Sequence, residues 1–238
     1  MAAEYVSVLG LRLDGRRPRE VRGLEIDYAD SGTTYAQGCT RVRVAIRGPR
    51  EAPHFGDAVH DRATLKCRVT AAPFSNHMLR RMGARDKRNV RLAKEIQDTF
   101  SAVVCLDLFP RSQIDIDVQI LMNDGGVDAV CFNAVTAGLV DAGIPMRDFV
   151  VSCEAGCLDG TPMIDLNRKE EMGNGPKLTV STLPRTGDVI SMNSTSKVSK
   201  EIFAEMLSMA TEGCDHVFSA LAARSKERTS ALLASQRQ

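Results

Sequence analysis

No apolar run in the sequence approaches the roughly 18 residues that a membrane-crossing helix requires, so the chain is not expected to span a bilayer. The opening residues, MAAEYVSVLG, lack a charged n-region and a long apolar core, so no secretory signal is expected there. The seven cysteines are an odd number without close CxxC pairs; structural disulfides and zinc are not expected, and a reducing compartment fits. There is no repeat of solenoid length and no low-complexity tract. GxSxG, HExxH, P-loop and GxGxxG patterns are all missing. His54, His60, His77 and His216 show no ligand spacing. With 31 basic and 30 acidic residues, the net charge of +1 gives no overall bias toward nucleic acid. These absences exclude secreted, membrane and fibrous classes.

What is present is the balance of a globular protein. The 238 residues are 43% hydrophobic and 26% charged, enough for one large domain or two small ones sharing a core. The near-zero net charge hides a local asymmetry. Arg80 to Lys94 holds seven basic residues against Asp86 alone, a stretch of +6. Arg12 to Arg22 adds five arginines against Asp14 and Glu20, or +3, leaving −8 on the rest of the chain. A basic stripe on an otherwise acidic protein is a focused field.

Hydrophobic periodicity places the elements. Val42, Val44 and Ile46 alternate with polar or small residues, as do Leu65, Cys67 and Val69, and most clearly Ile114 to Ile120. Further strands are expected over Val150–Leu158, Lys177–Leu183 and Val189–Met192, with Pro184 to Asp188 as a hairpin loop between the last two. Leu92, Ile96, Phe100 and Val103 share one helical face. A second helix runs over Asp128–Asp141 and stops at Gly143 and Pro145. A third is capped by Ser199 and turns Phe203, Met206, Leu207, Ala210, Cys214, Val217, Phe218 and Leu221 inward. Antiparallel-looking strand runs broken by single helices predict α+β layering. No long linker is apparent, so residues 1–238 are expected to form one compact unit.

Three groups of residues are candidate sites. The turn Asn123-Asp124-Gly125-Gly126 joins a strand to a helix N-terminus, a geometry that suits anions. Asp128 opposes a phosphate there, and no Arg, Lys, Ser or Thr is adjacent in sequence, which favours a structural turn. In the basic block, Lys87, Arg91 and Lys94 fall on one side of a helix. A solvated face is the plain reading, but a lone acid among seven bases also suits a polyanion. No aromatic residue lies within the block, so base stacking is not indicated there. Asp165, Glu170 and Glu171 form an acidic group suited to general acid–base work or a metal; Arg168, Lys169 and Lys177 equally suit neutralisation on a surface loop. Cys153 and Cys157 fall on one strand face and are expected in the core. The face bearing Asp115, Asp117 and Gln119 is a candidate intersubunit surface, with water as the alternative.

Several of these segments together are similar to a known family. Arg12-Leu13-Asp14-Gly15-Arg16-Arg17-Pro18, Pro110-Arg111-Ser112-Gln113-Ile114-Asp115-Ile116, Asp124-Gly125-Gly126 and Asp141-Ala142-Gly143-Ile144-Pro145-Met146, in this order, resemble the ribonuclease PH family, and most of all its eukaryotic exosome-ring members. The resemblance runs from about Leu11 into the C-terminal helix. It implies an α+β fold of two related halves, here about 11–146 and 147–238, each packing a sheet on helices.

Active members of the family are phosphorolytic 3′→5′ exoribonucleases. Where they carry a hydroxyl residue and an arginine to hold the attacking phosphate, this chain has Val127 and Asp128. The family's catalytic aspartate pair falls at Glu171 and Lys177. The resemblance therefore implies a subunit without catalytic residues of its own, and no cofactor or metal is expected. The paired basic residues that guide RNA in the ring pore match Lys87 and Arg88. With Arg80, Arg81, Arg85 and Arg91 they form the expected RNA-binding set. The family's pore loop corresponds to Glu51–Asp61, which contains no Lys or Arg. The implied partners are paralogous ring subunits, RNA-binding cap proteins, a separate hydrolytic exoribonuclease and single-stranded RNA. The implied role is RNA processing and degradation, ribosomal RNA included, in nucleus, nucleolus and cytoplasm. Two alternatives stay open: an active phosphorolytic exoribonuclease with displaced catalytic residues, and an interaction protein that keeps the fold without touching RNA.

Overall fold

The computed structural model describes residues 7, 10–29, 31–51, 59–76, 86–158 and 160–236. Five strands form the first sheet: β1 (Leu24–Ala29), β2 (Gly32–Gln37), β3 (Thr40–Glu51), β4 (Thr64–Ala71) and β5 (Ser112–Met122), in the spatial order β1-β2-β3-β5-β4. Four form the second: β6 (Val151–Leu158), β7 (Thr161–Ile164), β8 (Lys177–Thr182) and β9 (Val189–Ser194), in the order β7-β6-β8-β9. The helices are α1 (Lys87–Val103), α2 (Val127–Asp141), the single turn α3 (Arg168–Glu171) and the long α4 (Lys200–Gln236). No described helix is long and apolar enough to cross a membrane.

Both sheets are amphipathic, and their apolar faces define two adjoining cores. Val42, Val44, Ile114, Ile116 and Val118 meet Leu92, Ile96 and Phe100 of α1 and Val130 and Val135 of α2. Val151, Cys153, Leu178 and Val180 meet Met206, Ala210, Cys214 and Val217 of α4, so Cys153 is a core residue, as is Cys157. Between them lies α2, which packs on β2 and β3 on one side and on β6 on the other. Its residues Val127 and Ala129 to Leu139 are all buried. A helix apolar on every side fits only such a central place.

One expectation about the sheets needs correction. Strand β4 pairs with β5 in parallel, with Leu65 opposite Ile114, Cys67 opposite Ile116 and Val69 opposite Val118. The reason is the crossover: α1 carries the chain back along the sheet, and a strand–helix–strand connection makes neighbouring strands parallel. The other pairings are antiparallel, including the β8–β9 hairpin across residues 183–188.

The face bearing Asp115, Asp117 and Gln119 points away from the core. Asp115 is paired with Arg50 and Asp117 with Arg47, both across from β3. Part of the polar pattern in this strand is thus neutralised within its own sheet.

Candidate functional site

The arginines near the N-terminus organise the site from behind. Arg12 is buried; its guanidinium is paired with the buried Glu170 and donates to the carbonyls of Ile164 (2.6 Å) and Asp165 (3.0 Å). Arg22 donates from its backbone N to Asp165 Oδ2 at 2.7 Å and from Nη2 to Oδ1 at 2.7 Å. The same guanidinium reaches the carbonyls of Asp124 (3.0 Å) and Gly125 (3.1 Å). Burial by itself raises the Asp165 pKa, but hydrogen bonds and charge from Arg22 outweigh it and hold the carboxyl below its ordinary value. Arg16 also lies against Asp165, at 3.6 Å. Three of the five arginines between 12 and 22 are therefore committed to internal acids and carbonyls. That stretch is a structural clasp, not part of an open field.

The expected surface loop of acids is corrected accordingly. Asp165 and Glu170 are buried, and their partners are Arg22 and Arg12 rather than Arg168 or Lys169. Asn167 and Glu170 make a capping box that starts α3 and aims Glu171 outward. Its carboxylate accepts from the Gly126 N–H at 3.1 Å and lies 3.2 Å from the Lys177 ammonium.

The turn before α2 requires its glycines. Gly125 has φ +91 and Gly126 φ +64. A Cβ on Gly125 would fall 2.5 Å from the Leu166 carbonyl oxygen and 2.8 Å from the Arg168 nitrogen. The expectation that this turn lacks nearby cationic and hydroxyl groups holds along the chain but not in space. Arg22 and Thr40 bind its carbonyls, Thr40 Oγ1 donating to Gly125 O at 2.8 Å. Arg88 reaches Asp128 just beyond it.

Helix α1 is started by Asp86, whose side chain accepts from the Arg88 N–H at 3.2 Å. Its basic residues do not act as one stripe. Lys87 is exposed and makes no ion pair among the described residues. Arg88 leans across to Asp128, 3.4 Å away, and that carboxylate leads the causes that raise the arginine's pKa. Arg91 donates to Glu95 (2.7 Å) and to Asn193 Oδ1 of β9 (2.6 Å). Arg80, Arg81, Arg85 and residues 52–58 of the expected pore loop lie outside the described residues.

These groups enclose a cavity of about 330 Å³ between α1, the start of α2 and the second sheet. Arg88, Asp128 and the neighbouring pair Glu171 and Lys177, from three distant parts of the chain, all line it. Val127 is buried behind it in the core. A neighbouring cavity of about 360 Å³ shares Arg88, Glu171 and Lys177 and opens past Asn123 and Asn174. These four charges cancel in two pairs: Arg88 faces Asp128 and Lys177 faces Glu171. Among the described residues no group of three or more His, Cys, Asp or Glu is placed to hold a metal ion.

One wall residue escaped the sequence reading. Glu154, in the middle of β6, is 5% exposed and lines the cavity. Burial, reinforced by Glu171, pushes its carboxyl up to about 8, while Lys177 pulls the other way. A single charged residue inside an otherwise uncharged strand was the available signal.

Fold and cavity together define an α+β protein of two sheet-and-helix halves whose polar groups converge beside the helix between them. The model of the 3′ exoribonuclease family, RNase PH, matches in its two parts, domain 1 over residues 18–145 and domain 2 over 148–213. The chain is 40% identical over 217 residues to the exosome complex component RRP41 homolog of Arabidopsis thaliana, covering 89% of this chain and 90% of that one. Its fold is similar to that of rice (Oryza sativa) Rrp46, with a TM-score of 0.77 at 21% identity, over 90% of this chain and 100% of the other. It is also similar to a chain of the Archaeoglobus fulgidus exosome with RNA bound to the active site (TM-score 0.76, 21% identity, 88% and 92% covered). The chain belongs to the RNase PH-type 3′ exoribonuclease family.

Proposed function

We propose that this chain is a noncatalytic ring subunit of an RNA exosome core, of the Rrp41 type, which lines a channel for single-stranded RNA. The reading is supported by similarity to the Arabidopsis exosome component along nearly the full length of both chains. Its neighbours would be RNase PH-like paralogues, with RNA-binding cap proteins above and a hydrolytic exoribonuclease as the cutting component. Processing and decay of RNA, ribosomal RNA included, in nucleus and cytoplasm would follow from that assembly.

The observation that carries the noncatalytic part is the internal pairing of the cavity. A phosphorolytic site must hold a phosphate anion beside the RNA end and stabilise the charge that develops there. Here the Asp128 carboxylate occupies the cation that would hold it, and Lys177 stands where the resemblance requires a second acid. A phosphate entering beside Asp128 meets like charge and must first release Arg88. RNA guidance falls to Lys87, which is exposed, and to Arg88 when released. Contacts of this kind go to phosphates and are indifferent to sequence.

The test is phosphate-dependent release of nucleoside diphosphates from an RNA 3′ end, by the chain alone and in its ring. No release is expected. Release that Asp128→Ala or Lys177→Ala abolishes would overturn the noncatalytic reading.

A further inference from the structure

The cavity contains one carboxylate too many. Arg88 answers Asp128, Lys177 answers Glu171, and Arg91 answers Glu95. Glu154 is left: its carboxylate accepts no hydrogen bond from any described residue, although the side chain is more than nine-tenths buried and faces the opening. Its oxygens have no donor among the described residues and open on the cavity, where a proton or a cation can neutralise them.

The strand register shows what surrounds it. Glu154 of β6 lies directly opposite Thr179 of β8, which lies opposite Asn193 of β9. Directly opposed residues share a face, so these three form a row across the sheet, turned toward α1. The Thr179 hydroxyl donates to no described residue, and neither does that of Thr195 at the rim of the same cavity. With Arg88, Arg91 and Lys177 set against Glu95, Asp128, Glu154 and Glu171, the lining carries one net negative charge, and the acceptors beside Glu154 in its row are neutral oxygens. That is the complement of a group carrying one positive charge and several N–H donors.

We propose that this cavity binds a small organic cation, a primary ammonium or guanidinium such as that of a free di- or polyamine, seated on Glu154 and the Thr179 hydroxyl. A divalent metal does not fit, because it needs several carboxylates at once and the neighbours of Glu154 are already engaged. A volume of about 330 Å³ admits a short alkyl diamine and leaves no room for a folded segment of another protein. The inference does not depend on the RNA-channel reading. It concerns a residue outside the four positions compared with the family's catalytic groups.

Proton and cation compete for the same oxygens. The charged groups facing Glu154 are Arg88, Arg91 and Glu95 from α1 and Asp128 from α2. Glu171 of α3, Lys177 of β8, Asp165 after β7 and Arg22 before β1 also act on it. With the carboxyl at about 8, only a minor fraction is ionised at pH 7. Cation affinity is scaled by that fraction, so it should rise about tenfold from pH 6 to 7 and about fivefold from pH 7 to 8.

The test is calorimetric titration of the nucleic-acid-free full chain with putrescine and with spermidine, in two buffers of different ionisation enthalpy. Binding at pH 7 with release of close to one proton is expected, unaffected by Mg²⁺ at equal concentration. Glu154→Gln should abolish both the binding and the proton release, and Thr179→Val should weaken binding. If the Gln variant does not fold, the carboxyl resonance of Glu154 in the unaltered chain serves instead, and its titration should move to lower pH when putrescine is added. No binding at millimolar amine, binding without proton release, equal binding by Glu154→Gln, or a titration indifferent to putrescine would each overturn the proposal.

Discussion

The Arg88 guanidinium stands 3.4 Å from the Asp128 carboxylate, tying the first turn of α1 to the first turn of α2. The arginine is more than half exposed, so the pair adds little to stability. Its consequence is for anions, because a phosphate can use Arg88 only by displacing Asp128. Lys87 has no such competitor among the described residues.

Removing Asp128 should therefore strengthen RNA binding by the assembled ring. Asp128→Ala is expected to add one phosphate contact, increasing the magnitude of the slope of log K against log salt by about 0.7 for a single strand. Lys87→Ala should reduce it by a similar amount, while Arg88→Ala changes little unless Asp128 is also removed. Fluorescence anisotropy with purine-rich and pyrimidine-rich oligoribonucleotides over a salt series measures this. An Asp128→Ala ring with an unchanged slope would leave Arg88 a surface side chain of no account for RNA.

The buried pair of Arg12 and Glu170 makes a different prediction, about stability. Both side chains are fully buried, and Arg12 also holds two backbone carbonyls between β7 and α3. Removing one member strands the other charge, at a cost of about 3–5 kcal/mol. Glu170→Gln should lower the urea midpoint accordingly. Arg12→Met with Glu170→Met should recover part of the loss, since no charge is then left unpaired. A single variant within 1 kcal/mol of the unaltered chain, roughly the scale of an exposed pair, would show that the clasp is not needed.

Much of the architecture was legible in the sequence, because apolar spacing follows from burial. The Leu92-Ile96-Phe100 face, the Ile114–Ile120 alternation and the inward row of α4 all stand where the periodicity puts them. Strand β1 was also readable, since Leu24, Ile26 and Tyr28 alternate with Glu25, Asp27 and Ala29, yet it is short and lies beside a polar turn. Strand β7 gave no such signal, being four residues long and containing Pro162. The charged groups were harder to read. Sequence neighbours suggested Arg168, Lys169 and Lys177 for the acids at 165–171; Lys177 does pair with Glu171, but the partners of Asp165 and Glu170 lie 143 and 158 positions away, in the N-terminal arginines. An ion pair leaves no periodic trace, so only the folded chain reveals which arginines are spent. The four positions compared with catalytic groups could be named from the resemblance, whereas Glu154 required its cavity to be seen.

Glu154 also predicts a pH dependence of stability that separates it from the other acids. Its carboxyl titrates at about 8 in the folded chain, against 4.5 ordinarily. Below 4.5 both folded and unfolded chains hold the proton, so the group contributes no difference. Between 4.5 and 8 the unfolded chain has released it and the folded chain has not. The folded state then binds more protons, and stability falls as pH rises, by roughly 1 kcal/mol per pH unit. Asp165 has the opposite sign, because its folded value is depressed. Its contribution is present above 3.8 and disappears only as pH falls below that, outside this window. Subtracting the stability of Glu154→Gln from that of the unaltered chain, by urea denaturation from pH 5 to 8, isolates the one carboxyl. The variant should gain steadily relative to the unaltered chain across the range, and putrescine at pH 8 should narrow the gap. Parallel curves would mean that Glu154 is solvated or paired in the folded chain, and the uncompensated charge on which the cation site rests would not exist.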